Sequence, residues 1–369
     1  MYRSKALDNY ISNYFTMHNS RIVIMVQIIL SMIKVGSVQQ HKIAQGTSLK
    51  TKTNSIVRRI QRFFEQEFIC PQICAKLIFS WFQWDKLINF TMDRTNWQFG
   101  VCDINVLVIS GIYQGYAIPL CWTFLPHRGN SDTKVRIDLI EKLLLVVPLQ
   151  RVGFLLADRE FVGAEWFVYL QKTKIPFCIR LKENMLVTST RSGKSVKLKS
   201  LFRGIAIGQA RDLRQRLLNG LKLRICGTRT KDGELLILAI SGDISVEDAF
   251  TLYGLRWTIE SMFKAFKSAG FNFESTQQKK MDRHYKLMAL LAIAYAWSVK
   301  IGEVKNKIKP IAIKLHQRAQ FSWFRYGFDV IQTILLKAVG LQNKLFRLIV
   351  DIALNKLVSK QLQEVTVVY

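Results

Sequence analysis

The sequence is short of acid. Against 54 lysines and arginines it sets 26 aspartates and glutamates, a formal net charge of +28 over 369 residues. It is also short of proline, with six, and of histidine, with five. No internal repeat or low-complexity tract is present, which excludes a repeat array or a disordered tail as the organising feature. The six cysteines, Cys70, Cys74, Cys102, Cys121, Cys178 and Cys226, are scattered through mostly apolar runs. Cys70 and Cys74 do not form a C-x-x-C pair, and the histidines are dispersed, so no zinc-site spacing emerges. Buried, reduced thiols in a cytosolic protein are the expectation. Long hydrophobic runs are missing as well. The two most apolar stretches, Ile22 to Ile33 and Leu287 to Val299, fall short of the ~20 residues a spanning helix needs, and Gln27 interrupts the first. Both are expected as buried helices of a soluble protein with no membrane partner. The opening segment, with Asp8 and several asparagines, does not read as a signal peptide.

What is present is enough apolar residue, 49%, for a sizeable core. The length suits two or three domains of roughly 100–200 residues each. An excess of positive charge costs self-repulsion in the folded state. A polyanionic partner is the usual reason, because each neutralised phosphate releases counterions. The competing reading is a generally basic surface without a specific partner.

Residues 1–85 carry a helical pattern and are expected to form an N-terminal DNA-binding region. Ser48 to Phe64 runs from a capping-type stretch into a basic helix, with Ile56, Ile60 and Phe63 or Phe64 on one face. Arg58, Arg59 and Arg62 project elsewhere, with Lys50 and Lys52 just before them. A helix end at His41-Lys42-Ile43-Ala44 makes a helix-turn-helix, with these five cations as DNA contacts. The alternative is a solvated basic face.

From residue 86 the texture changes. Leu87 to Met92 reads as a strand ending at Asp93. Asn105 to Tyr113 and Tyr116 to Leu125 follow, joined at Gln114-Gly115 as a hairpin. Ser131 is expected to cap a helix through Val147, stopped by Pro148. Arg151 to Ala157 is a buried fourth strand, Gly163 to Lys172 a helix, and Pro176 to Leu181 a fifth strand. This order, over 86–181, is that of a ribonuclease H-like α/β core. Residues 182–244 break the alternation with short β-like runs among Gly and Ser, and fourteen basic residues lie from Arg180 to Lys231 against few acids. They read as a β-rich insertion. The core resumes over 245–304, and 305–369 is a helical, basic C-terminal region with Phe321, Trp323, Phe324 and Tyr326 clustered.

Phosphodiester cleavage at neutral pH needs an activated water and a stabilised leaving oxygen. Two metal ions held by carboxylates supply both, and hard Mg²⁺ takes oxygen ligands. Asp93 and Asp158 end the first and fourth strands, where a sheet could aim them together. Each could instead simply cap a strand-to-loop turn. Glu160 is an alternative ligand past the strand end. The third element is sharper. A helix from Ser245 to Gly270 carries Tyr253, Arg256, Glu260, Lys264 and Lys267 within one sector of roughly 80° at about 100° per residue. Leu252, Leu255, Ile259, Met262, Phe263 and Phe266 take the other side. One acid is thus presented among a phenol and three cations, or the face is solvated and held by Glu-Lys pairs.

Tyr253-x2-Arg256-x3-Glu260-x6-Lys267 resembles the Y-R-E-K signature of the IS4 family of insertion-sequence transposases, DDE enzymes that include the Tn5 transposase. Met92-Asp93-Arg94-Thr95-Asn96-Trp97 and Asp158-Arg159-Glu160-Phe161 look like its first and second acidic motifs, and Gly270 to Thr276 is also similar. The likeness covers about residues 40–330. It implies a ribonuclease H-like core with a β-strand insertion before the catalytic Glu. It implies cut-and-paste transposition of a bacterial element by metal-dependent cleavage and strand transfer, with a hairpin intermediate. The partners implied are double-stranded DNA, as terminal inverted repeats and target, and a second copy in a homodimer. The place of action implied is the bacterial cytoplasm, at the nucleoid. By carry-over, Asp93, Asp158 and Glu260 bind two Mg²⁺, with Mn²⁺ as a substitute. Tyr253, Arg256 and Lys267, with Lys264 beside them, contact phosphates near a flipped base. One departure stands out: some members stack that base on a tryptophan of the insertion, and here Phe202 is the insertion's only aromatic. Two other readings stay open, a DNA-binding protein that kept the scaffold without the chemistry, and a nuclease on the same core that cuts without joining.

Overall fold

Apolar residues at helical spacing fold the N-terminal part of the chain into five helices. The computed structural model describes residues 5–66, 69–99, 102–278, 280–315, 317–336 and 351. The helices are α1 (Lys5–Ser12), α2 (Asn19–Val35), α3 (Gln40–Gly46), α4 (Thr53–Gln66) and α5 (Pro71–Ser80). The first apolar stretch is the buried length of α2. Gln27 is buried inside it, but its Oε1 accepts from Ser48 N at 3.0 Å and Ser48 Oγ at 3.1 Å, so the interruption leaves no orphaned polar group. The same bonds anchor the segment between α3 and α4. Helix α4 buries Ile56, Ile60, Phe63 and Phe64, the face expected of it, and leaves Arg58 and Arg62 exposed.

The strands follow in the order β1 (Ile88–Phe99), β2 (Cys102–Tyr113) and β3 (Tyr116–Leu125), then α6 (Thr133–Leu144), β4 (Val152–Ala157), α7 (Ala164–Lys172) and β5 (Phe177–Arg180). Next come β6 (Leu186–Ser189), β7 (Ser195–Lys197), α8 (Leu198–Leu201), β8 (Ala210–Leu218), β9 (Leu221–Arg229) and β10 (Leu235–Ile240). The β2–β3 hairpin turns at Gln114 and Gly115, both at positive φ (46° and 80°), the geometry that suits a right-twisted ribbon. Helix α6 starts one residue later than expected. Asp132 is its N-cap, its side chain accepting from Val135 N, while Ser131 Oγ accepts from Arg136 Nε, and the helix stops at Leu144.

All ten strands lie in one sheet, ordered β3-β2-β1-β4-β5-β10-β9-β8-β6-β7. β4 pairs parallel to β1 and to β5, so the first five strands carry the order expected of the core. The basic strands after β5 do not stand apart from this sheet. β10 returns antiparallel to β5, with Ala239 opposite Ile179, and β9 and β8 extend the sheet from there. The fold class is mixed α/β around a large sheet.

After β10 the chain is helical again: α9 (Val246–Gly254), a 3-10 turn over Leu255–Trp257, α10 (Thr258–Lys267), α11 (Met281–Ile308) and α12 (Trp323–Leu336). The single helix expected from Ser245 to Gly270 is therefore two, cut by the tighter turn. Helix α11 is longer than the apolar stretch suggested, and it is long and apolar enough to cross a membrane, but 94% of its apolar window is buried inside the fold. Phe324 of α12 stacks on Tyr295 of α11 at 5.0 Å, so part of the C-terminal aromatic cluster serves packing. Where α12 meets α11 the backbones nearly touch, since a Cβ on Gly327 would lie 1.9 Å from Ser298 O. Part of the helical region expected over 305–369 falls outside the described residues, which beyond 336 include only Asp351.

The chain divides into two compact units, taken over the described residues. A mainly helical unit comprises Met1–Gln83, Trp97–Ile104 and Phe263–Tyr369, and a sheet unit comprises Trp84–Asn96 and Asn105–Met262. Among the described residues five cysteines are free thiols, four of them buried, and burial pushes the Cys178 and Cys226 thiols up to about 12. The four buried ones are inert core residues.

Candidate active site

The two aspartates owe their position to the parallel pairing inside the sheet unit. That pairing runs through Met92 opposite Ala157 and stops there. Asp93 and Asp158 are the next residue on each chain, so the register delivers them side by side at the carboxyl edge of adjacent strands. This edge is where α/β sheets gather ligand-binding residues. β1 does not end at Asp93, as expected, but continues to Phe99 without a β4 partner. Asp93 thus sits on rigid strand and Asp158 on the first residue of a loop. Each is fixed by a backbone donor one residue on: Arg94 N to Asp93 Oδ1 and Arg159 N to Asp158 Oδ1, both 2.7 Å.

The third acid arrives from α10. Arg256, in the 3-10 turn before it, spans two acids: its Nη1 donates to Asp93 Oδ2 at 3.0 Å and its Nη2 to Glu260 Oε1 at 3.1 Å. The Arg256 side chain is 4% exposed, against 15% for Asp93 and 40% for Glu260. Burial pushes the Asp93 carboxyl up to about 6, even though the Arg94 amide and the Arg256 charge pull it down; the charges of Glu160 and Asp158 add to the rise. Arg256 is held in its charged form by Tyr253 and by all three acids, against the cost of its burial.

Tyr253 and Arg256 do not share an exposed helix face with Glu260. Tyr253 is 4% exposed and packs in the core under α9 with Leu156, Cys178 and Leu238. Tyr253 lies on the buried face of α9 with Val246 and Ala249. The 3-10 turn that follows, at three residues per turn, advances each side chain by about 120° instead of 100° and swings Arg256 inward toward the strand ends. Lys264 is exposed, and Lys267 pairs with Glu274 at 3.0 Å with its Nζ 5.9 Å from the centre of the Trp97 ring. Both lysines group with the helical unit. On α4 and the segment before it, Lys50, Lys52, Arg58 and Arg62 are exposed and Arg59 is half-buried.

Two aromatics change the picture at this site. Phe202 is fully buried, its ring 2.5 Å from where a Cβ on Gly227 would stand, so it packs the sheet and has no face to offer a base. Trp257, passed over in the sequence, is 60% exposed with the Arg256 guanidinium 5.2 Å from its ring. Its signal was present: an indole directly after Arg256, on the side away from the apolar residues of its helix.

The donors offered are carboxylate oxygens, the chemistry a hard divalent cation takes. Among the described residues, however, no three acids, histidines or cysteines stand close enough together to hold a metal ion. The donor set fits such an ion by its chemistry, while Arg256 supplies the positive charge between Asp93 and Glu260.

No curated protein matches the chain. A cryo-EM structure of the piggyBac transposase synaptic complex with hairpin DNA is similar at 12% identity, over 91% of this chain and 76% of that one. Its TM-score is 0.46. Residues 124–297, somewhat less than half of the chain and inclusive of Asp158 and Glu260, match the family model described as a transposase DDE domain, and that match supports a DDE transposase.

Proposed function

We propose that this protein is a DNA transposase of the IS4 type, cutting and joining an insertion sequence at its terminal inverted repeats. The observation that carries the reading is the register of β1 on β4, which puts Asp93 beside Asp158, with Glu260 tied to Asp93 through Arg256. Asp93, Asp158 and Glu260 would hold two Mg²⁺ ions, or Mn²⁺ in their place. Such ions, when bound, supply the Lewis acidity and water activation that phosphodiester cleavage needs. The chain's own part is to aim the three carboxylates, with Asp93 carried on β1. A phosphate oxygen of bound DNA would compete with the carboxylates for the fork of Arg256.

Double-stranded DNA is the proposed partner, with the exposed cations of α4, Lys50 and Lys52 neutralising phosphates and Lys264 and Lys267 contacting the strand near the cut. A homodimer in the bacterial cytoplasm, each copy on one end, completes the proposal. A hairpin intermediate needs an aromatic face for a base turned out of the stack, and the exposed Trp257 offers one where Phe202 does not.

The test is cleavage of a labelled fragment carrying the element's ends, with Mg²⁺, by the natural protein and by Glu260→Ala. Cutting at the ends by the natural protein, lost in Glu260→Ala with DNA binding kept, supports the three-acid site. Equal cutting by both removes Glu260 from it. A DNA-binding protein without chemistry is the second reading, favoured by the guanidinium that sits between Asp93 and Glu260. Binding of the ends by the natural protein with no cutting at any metal concentration would establish it.

A further inference from the structure

Beyond Met92 and Ala157 the ladder between β1 and β4 is over, and backbone pairing no longer fixes the distance between the two chains. A side-chain pair takes up there. Arg94, next to Asp93, grips Glu160, two residues after Asp158, with both arms of its fork: Nε donates to Oε1 at 3.3 Å and Nη2 to Oε2 at 3.1 Å. The remaining Nη1 donates to Asn105 Oδ1 at 3.1 Å. Asn105 is buried on β2, and its Nδ2 donates to the carbonyls of His127 at 2.9 Å and Gly129 at 3.0 Å. Glu160 is held from behind too. Arg136 of α6, 4% exposed, donates to the Glu160 carbonyl at 3.1 Å and to Ser131 Oγ at 2.9 Å, its guanidinium 5.1 Å from the centre of the Phe161 ring.

An ion pair this near the surface, 16% and 20% exposed, adds little stability when it stands alone. This one does not stand alone, because Asn105 anchors Arg94 and Arg136 anchors the Glu160 backbone. Both Glu160 oxygens are engaged by Arg94, which leaves that carboxylate poorly placed to serve as a ligand itself. We propose that Arg94 and Glu160 form a clamp that sets the separation of Asp93 and Asp158, acting as positioning residues for the two acids. The inference rests on the reading that Asp93 and Asp158 serve the reaction.

The test uses the protein bound to a duplex carrying the element's end. Arg94→Gln, Glu160→Gln, the double variant and Asp158→Asn are compared by single-turnover cleavage and by the Mn²⁺ bound in the complex, counted by electron paramagnetic resonance. Each single Gln variant should lose about 10–100-fold in rate and in Mn²⁺ affinity, with duplex binding kept, as is usual when a group behind a ligand is removed. The double variant should fall no further than the worse single one, because only one pair is lost. Multiplied losses in the double variant would overturn the clamp. So would a Glu160→Gln as inactive as Asp158→Asn beside a normal Arg94→Gln, which would make Glu160 a ligand. If both Gln variants cut normally while Asp158→Asn is dead, the clamp fails and the acid site stands. If Asp158→Asn itself cuts normally, the acid site fails and the clamp falls with it. Should Glu160→Gln fold poorly, Glu160→Asp gives the same decision. It keeps the charge and should retain more rate than Glu160→Gln, and the reverse order counts against the clamp.

Discussion

Three arginines of the sheet unit, Arg94, Arg136 and Arg256, and those of α4 carry the same charge in two physical regimes. Arg256 and Arg136 are each 4% exposed, and Arg94 is 16% exposed; their forks are taken up by carboxylates, carbonyls and a hydroxyl. Arg58 and Arg62 stand in water, and among the described residues neither they nor Arg59, Lys50 and Lys52 form an ion pair. A buried guanidinium has lost its hydration and is worth keeping only where its partners are fixed, so it reports a constellation. An exposed one retains its hydration and is free to exchange it for phosphate. The net charge of +28 therefore divides into cations that build a site and cations that are available to a polyanion.

The largest effect expected from breaking this contrast is at Arg256. Replacing it with Gln leaves Asp93 buried without its counter-charge, and stability should fall by about 3–5 kcal/mol, the usual cost of removing one partner of a buried pair. Most of that belongs to the Asp93 side, since Glu260 is 40% exposed and screened by water. Urea unfolding of the two proteins measures it. A loss below about 1 kcal/mol would mean that Arg256 is not the charge that holds Asp93 in place. Arg136→Gln comes next. It removes charged hydrogen bonds to Ser131 and to the Glu160 carbonyl, and should cost about 1.5–3 kcal/mol.

A third effect is a pH dependence. The folded Asp93 carboxyl lies at about 6, above its ordinary value of 3.8, so the folded state holds the proton more tightly than the unfolded one. The resulting stability is complete below the ordinary carboxylate range and is lost as pH rises toward about 6. Asp93→Asn cannot ionise, and in metal-free buffer it should gain on the natural protein between pH 4 and pH 7 by roughly 2–3 kcal/mol. Thermal unfolding at the two pH values checks this, and a gap that stays constant would deny the raised Asp93. The smallest effect on stability is expected for Arg58→Ala with Arg62→Ala, within about 0.5 kcal/mol. Binding to DNA should nevertheless weaken for every sequence, with the salt slope reduced by about 2. A sequence-dependent loss would instead make these arginines base readers.

Much of the scaffold was legible because its signals are local. Alternation around Gln114-Gly115 is a hairpin signal on its own, and the uniformly apolar Val152–Ala157 reads as a strand covered on both faces. The apolar stripe of α4 needs only its own period. The acids were legible because Asp93 and Asp158 each follow an apolar run that ends abruptly. What could not be read is whatever depends on a change of period or on distant pairing. Tyr253 belongs to the buried face of α9, and the 3-10 turn over Leu255–Trp257 carried Arg256 from the outside of a helix to the inside of the fold. Arg94 and Glu160 lie 66 residues apart, and nothing in either neighbourhood names the other. The strands after β5 read as a β-rich insertion, but hydrophobic pattern cannot say which sheet a strand joins, and backbone pairing puts them on the same sheet as β1 to β5.

The buried course of α11 has a consequence for how the chain is made. Its apolar length is covered by α2, α4 and α5, which leave the ribosome before it, and by α12, which leaves after. Gly327 lets α12 lie against Ser298 of α11, where any side chain would clash. Until α12 docks, one flank of a helix apolar enough for a membrane lacks its cover. A chain that stops before α12 keeps that flank bare and is expected to aggregate instead of working as a shorter protein.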